Sequence, residues 1–309
     1  MRKLLKKIIP PCIWKKIRRV LIIRDQKRIA AISDKYIDDY FSGQFKQCDI
    51  VAKHPELVGN KIIWQYWAQG FEIDQLPEVV KVCVDSVDRH CGDWQVIRLS
   101  DNNISDYLDL PEFMYSKRGE KFKTHSFANV LRLALMYVYG GLWLDATVLM
   151  TGPVPVNYAE YDFFMYQRDE EEPHKRYWEN SFALYFGWGE DFIVRMLTSI
   201  IFSKPRCTLM KDWMNLMIHV WDVNDAYPHY FTFPIIYNQL IKRGNSGANC
   251  PIEGDCPPHY LMQIINDEFP YATASDAVAL IPFHKLTYKE IDITKFRKVM
   301  KEIGVGYDN

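Results

Sequence analysis

Apolar and polar positions divide this chain into short hydrophobic runs separated by longer stripes with helical spacing. Residues 61–67, KIIWQYW, form a compact run of isoleucine and aromatic rings and predict a strand. Residues 76–92, LPEVVKVCVDSVDRHCG, predict a helix with Pro77 near its start and Gly92 beyond its end. WQVIRLS at 94–100 predicts the next strand, and this strand, helix, strand order points to a parallel α/β sheet.

The most apolar stretch, HSFANVLRLALMYVYGGLWLDATVLM at 125–150, predicts a helix, a Gly140-Gly141 stop and a strand over 142–150. Phe127, Val130, Leu131, Ala134, Leu135 and Val138 share its buried face. His125, Asn129 and Arg132, spaced i, i+4 and i+7, share another stripe. An arginine on so apolar a helix calls for a negative partner, a carboxylate or a phosphate. The following strand carries Asp145 at the carboxyl end, where open α/β sheets bind ligands. Arg132 and Asp145 are therefore expected to meet, either at a ligand cleft or as a structural ion pair.

Beyond this core, strands are expected at 161–167 (YDFFMYQ) and 182–187 (FALYFG), and helices at 191–202, 209–221 and 233–243. A Gly/Asn/Pro-rich loop spans 244–258, and DITKFRKVMKEIG at 292–304 predicts a closing amphipathic helix. The acidic run RDEEEP at 168–173 reads as a solvated loop.

Charge sharpens the picture at one end. Residues 1–28 hold eleven Lys/Arg against the single acid Asp25, although the whole chain of 309 residues has a net charge of -1. Leu4, Leu5, Ile8, Ile9, Ile13, Trp14, Ile17, Val20, Leu21 and Ile22 interleave with these bases at helical spacing, broken by Pro10-Pro11. Residues 1–57 thus form a basic, amphipathic N-terminal helical segment suited to an anionic membrane surface, ahead of a single α/β domain over 58–309. Basic charge confined to one end argues against a nucleic-acid partner. No apolar run is long enough to span a bilayer, and the N-terminus lacks the continuous apolar region of a secretory signal. Seven cysteines without a C-x-x-C pair suggest reduced thiols rather than zinc or a disulfide framework.

Helix, GG, apolar strand and LDAT, together with KIIWQYWAQG followed by LPEVVKVCVDSV, and HKLTYK at 284–289, resemble glycosyltransferase family 32-like and capsular polysaccharide synthesis proteins. The resemblance covers residues 58–153 and 284–289, and the middle of the chain only loosely. It implies a GT-A fold, a Rossmann-like sheet that binds a nucleotide-sugar through a D-x-D motif and a divalent metal, Mn²⁺ or Mg²⁺. Asp145 matches the first aspartate of that motif, with Thr147, a poorer ligand for a hard cation, in place of the second. Arg132 matches the arginine of the family's S-D-x-x-R element, whose preceding pair is Ala128-Asn129 here. Asp145 and Arg132 are then the catalytic candidates. Trp67, Gln65, Asn129, Thr147, Lys285 and Lys289 join them as donor-binding candidates, with Trp67 stacking on the base, and Asp145 and His284 are the metal-ligand candidates.

What the resemblance implies is hexose transfer, with retention, from a UDP-sugar to a lipid-linked or oligosaccharide acceptor of a capsular or cell-surface polysaccharide. The enzyme would then work at the cytoplasmic face of the plasma membrane. Glu179 or Asn180 would face the acceptor, and residues 230–240 would wall its side. The rival reading is an inactive relative that binds a nucleotide-sugar or polysaccharide. A dinucleotide-binding oxidoreductase is disfavoured, because G-x-G-x-x-G does not follow the first strand and no P-loop is present.

Overall fold

The computed structural model describes residues 10–244, 250–289 and 291–305, so the first nine residues of the basic segment lie outside the description. Six helices of ten residues or more are found among the described residues: α1 (Pro11–Phe41), α2 (Glu78–His90), α3 (Thr124–Val138), α4 (Thr208–Val223), α5 (Thr232–Arg243) and α6 (Ile293–Glu302). The strands are β1 (Ile62–Tyr66), β2 (Gln95–Leu99), β3 (Gly141–Leu144), β4 (Val148–Met150), β5 (Phe163–Gln167), β6 (Met196–Ser203) and β7 (Phe283–Lys285).

The central sheet has the order β2-β1-β3-β6-β5. Its first three strands are parallel, and β6 and β5 run antiparallel to their neighbours, so the fold is α/β with a mixed sheet. Strand alternation sends Trp64 and Tyr66 of β1 into a large core shared with α3 and α4, and Ile63 to the opposite face beside Val87 of α2. The predicted apolar face of α3 is fully buried, with Phe127, Val130, Leu131, Leu135 and Val138 each contributing roughly 1.5–3 kcal/mol relative to exposure.

Gly140 and Gly141 adopt φ of +74° and +96°, conformations that side chains rarely accept. A Cβ on Gly141 would stand 2.5 Å from the Ile62 carbonyl oxygen, so only glycine lets β3 lie against β1 here. Trp64 Nε1 fixes the corner by donating to the Gly140 carbonyl at 2.9 Å.

Several sequence expectations change. The predicted strand 142–150 is two strands: the chain turns at Asp145, where Val148 N–H bonds the Asp145 carbonyl at 2.8 Å, and β4 leaves to pair with β7. Residues 191–202, read as a helix, supply β6 instead. Nearly every side chain of Met196–Ser203 is buried, so the strand shows no alternation to betray it. Residues 182–187 form no strand; Phe182 and Phe186 follow the short helix Lys175–Ser181 and pack on Trp178. The acidic run is not wholly solvated, because Arg168 and Glu172 are buried.

α1 begins at Pro11, whose ring suits a first helical turn. It packs into the body of the protein: Ile22, Ile29 and Ala30 meet Phe231 and Ile235, and Ile37 and Tyr40 join the large core. Arg19 ties its first half down, donating to the Phe186 carbonyl at 3.2 Å, the Trp188 carbonyl at 3.2 Å and Glu179 at 3.3 Å.

Candidate active site

The carboxyl ends of β1 and β3 and the amino end of the antiparallel β6 open on the same edge of the sheet. There they floor a cleft of about 1410 Å³. β1 hands over to Trp67, β3 to Asp145, and the first half of α3 presents His125, Asn129 and Arg132 along one wall. Lys285, at the end of β7, and the residues up to Lys289 close the opposite side, while Tyr185, Tyr230 and Phe233 supply rings.

Asp145 is the centre of the charge arrangement. Oδ1 receives the Trp143 indole N–H at 2.9 Å and faces Arg132 Nη2 at 3.3 Å; Oδ2 receives Lys285 Nζ at 2.9 Å. Lys285 Nζ also donates to Thr147 Oγ1 at 2.6 Å. The lysine can do both because β4 and β7 pair Val148 with Lys285, and Leu286 N–H bonds the Thr147 carbonyl at 2.9 Å. Burial alone would raise the Asp145 carboxyl; Lys285 and Arg132, aided by Trp143, overturn this and hold it well below the usual carboxylate range. The group stays ionised.

Arg132 lies almost wholly inside. Its Nη1 donates to the Thr198 carbonyl and its Nε to the Ala128 carbonyl at 3.3 Å, with the guanidinium carbon 4.9 Å from the Trp143 ring centroid and 5.5 Å from that of Phe233. The buried arginine predicted from α3 therefore has a carboxylate partner, and that partner faces a cleft.

Among the described residues lining the cleft, Asp145 is the one carboxylate, set against Lys123, Arg132, Lys285 and Lys289. Such a cleft favours an anion carrying more than one negative charge. Trp67 meets Tyr288 edge to face at the rim, with ring centroids 5.3 Å apart. Asn129 Nδ2 reaches the Tyr227 hydroxyl at 3.4 Å.

Of the sequence candidates, the cleft gathers Trp67, Asn129, Arg132, Asp145, Thr147, Lys285 and Lys289. It does not gather Gln65 or His284. Gln65 is fully buried within β1, two residues short of Trp67 at the cleft edge, where its Oε1 accepts from Arg98 Nε at 3.1 Å. His284 precedes Lys285 on β7, so alternation turns it inward; its Nε2 pairs with Thr151 Oγ1 at 3.0 Å, and burial lowers its pKa to about 4. Glu179 is held at Arg19 and the Trp188 N–H, and Asn180 bonds the Arg176 carbonyl; neither lines the cleft. Residues not anticipated are Trp143, Lys123, Tyr185 and Tyr288. Trp143 had a readable signal, because it precedes Asp145 by two positions and so shares its side of the strand.

In open α/β folds the carboxyl edge of the parallel strands is where ligands bind, and here that edge carries an ion-paired aspartate in a basic cleft. The chain matches the capsular polysaccharide synthesis protein family over residues 14–303, and it belongs to that family. It is 27% identical over 181 residues to the O-glycosyltransferase braB of Annulohypoxylon truncatum, covering 55% of this chain and 40% of that protein. It is 26% identical over 173 residues to the O-glycosyltransferase PaGT of Phomopsis amygdali, covering 52% and 39% respectively. The aligned part thus spans about two fifths of those relatives. The solved structure titled PaToxG Glycosyltransferase aligns over 94% of this chain and 96% of its own, with 11% identity and a TM-score of 0.34.

Proposed function

We propose that this protein is a retaining glycosyltransferase of GT-A architecture. It moves a hexose from a UDP-sugar to a lipid-linked or oligosaccharide acceptor in the synthesis of a capsular or cell-surface polysaccharide. The observation that carries this reading is Asp145 held between Arg132 and Lys285 in a cleft whose other charged side chains, among the described residues, are Lys123 and Lys289. Family membership and the named activity of the two O-glycosyltransferase relatives support it.

The chemical problem is a diphosphate that gains negative charge as the sugar becomes oxocarbenium-like. Lys285 and Lys289 stabilise the departing phosphates, and preorganised charge of this kind is a large source of catalysis. Asp145, kept ionised, accepts hydrogen bonds from donor-sugar hydroxyls, and Asn129 adds a neutral contact. The bond from the anomeric carbon to the diphosphate oxygen breaks, and the acceptor oxygen bonds that carbon from the same face. The acceptor proton passes to the leaving phosphate oxygen, so no separate enzymatic base is required. Tyr185 and Tyr230, whose hydroxyls lie 3.1 Å apart, wall the acceptor side.

α1 supports a peripheral membrane role. Ile13, Ile17 and Val20 form an exposed apolar stripe flanked by exposed Lys16, Arg24 and Arg28. Among the described residues no helix is long and apolar enough to cross a membrane. The enzyme would lie on the anionic inner face of the plasma membrane.

The test is hydrolysis and binding of UDP-Gal, UDP-Glc, UDP-GlcNAc, UDP-GalNAc and GDP-Man by the wild type and Asp145→Ala, with and without an oligosaccharide acceptor. Turnover of one donor that is lost in Asp145→Ala is expected. Tight donor binding with no turnover under any condition would favour an inactive binder, for which Thr147 in place of a second carboxylate is the supporting observation.

A further inference from the structure

A divalent ion held by this chain would need hard, acidic oxygen ligands that are free to bind it. The cleft's described residues offer one carboxylate, and a cation already stands against each of its oxygens, Arg132 beside Oδ1 with the Trp143 N–H and Lys285 on Oδ2, which repels a metal ion while leaving a lone pair for a neutral hydroxyl. Among the described residues, no three His, Cys, Asp or Glu side chains gather where they could hold a metal ion. His284 is turned away into the core against Thr151. The donor set does not fit the metal that the D-x-D resemblance implies.

Lys285 fits instead. Its ammonium stands between Asp145 Oδ2 and Thr147 Oγ1, the two side chains at the D-x-D positions, where a divalent ion would be held if position 147 were acidic. Charge makes the exchange consistent. Arg132, Lys285 and Asp145 together carry one net positive charge, and an aspartate at 147 would cancel it. With a neutral threonine the lysine keeps its excess charge toward the cleft, and a nucleoside diphosphate is the ligand class that such a cation serves.

We infer that Lys285 takes the place of the catalytic metal ion, so that donor binding and diphosphate departure in this protein need no divalent cation. The inference rests on the transferase reading. It adds that the cation bridging Asp145 and the diphosphate is the β7 lysine.

The experiment is calorimetric binding of UDP to the wild type after dialysis against EDTA, repeated with Mn²⁺ or Mg²⁺, and then with Lys285→Gln and Lys285→Arg. UDP is expected to bind the wild type with a Kd that changes less than threefold on adding metal. Lys285→Gln should bind about 10- to 100-fold more weakly, the loss of one charge-assisted hydrogen-bond donor, and Lys285→Arg should regain most of the affinity. UDP binding that requires Mn²⁺ or Mg²⁺ in the wild type overturns the inference and leaves the transferase reading standing. Unchanged affinity in Lys285→Gln overturns it equally. UDP that fails to bind with or without metal overturns both.

Discussion

Trp67 and Tyr288 cross edge to face at the rim of the cleft, 5.3 Å between centroids and 75° between planes, one ring at the end of β1 and the other just beyond β7. On the proposed reading these rings would offer the donor's nucleobase an aromatic platform, beside the cations proposed to hold its phosphates. Trp67→Ala should weaken UDP binding roughly 5- to 100-fold, the scale of one base-stacking contact, while Trp67→Phe keeps most of it. Inorganic pyrophosphate should bind both variants as it binds the wild type. Equal losses for UDP and pyrophosphate would show that Trp67 shapes the cleft without stacking on a base.

Arg168 and Asp255 form a two-pronged ion pair, both contacts 2.9 Å, with side chains only 1% and 4% exposed. The same guanidinium donates to the Gly187 and Tyr185 carbonyls, so it also fixes the segment that carries Tyr185. Asp255→Asn leaves a buried cation without its counter-charge and should cost about 3–5 kcal/mol. Urea unfolding followed by circular dichroism measures this, and a loss below about 1 kcal/mol would mean the pair is hydrated in solution.

His259 lines the cleft, and burial, then Lys285 and Arg168, pushes its pKa from 6.5 down to about 3. The fold prefers the neutral ring, so between those two values the unfolded chain binds the extra proton. Stability is therefore complete above pH 6.5 and falls as pH drops, by at most about 1.4 kcal/mol per unit from this residue. His259→Gln should lose less stability between pH 7.5 and pH 5 than the wild type. Parallel losses in urea midpoints at the two pH values would remove His259 as the cause.

The stripe of Ile13, Ile17 and Val20 is 49%, 37% and 65% exposed. Replacing all three by serine should weaken binding to vesicles containing phosphatidylserine at least tenfold. The wild type should prefer those vesicles to neutral ones, and added salt should reduce the preference. Sedimentation with the two vesicle types measures both, and indifference to lipid charge would leave the flanking bases without this role.

Much of the site was legible because it is local. The period of α3 put His125, Asn129 and Arg132 on one line, and the glycine pair announced that the chain turns back toward Asp145. What was hidden depends on distant pairing. β6 is buried on both faces, so its side chains carry no alternation and were read as a helix. The turn at Asp145-Ala146-Thr147 contains neither glycine nor proline, so one long strand was expected where two exist. Which of His284 and Lys285 faces Asp145 is decided by the register of β7 on β4, and nothing near residue 284 encodes that register.

The Arg19 clasp makes α1 and the rim beside Tyr185 a single mechanical piece. On whatever surface α1 lies, its contacts with Glu179 and the Phe186 and Trp188 carbonyls hold the mouth of the cleft at a fixed height above that surface. If α1 docks on a lipid surface and the acceptor is lipid-linked, as proposed, the distance between a lipid headgroup and the sugar it bears would become a selection rule, set by the Arg19 contacts and independent of any pocket that recognises the acceptor.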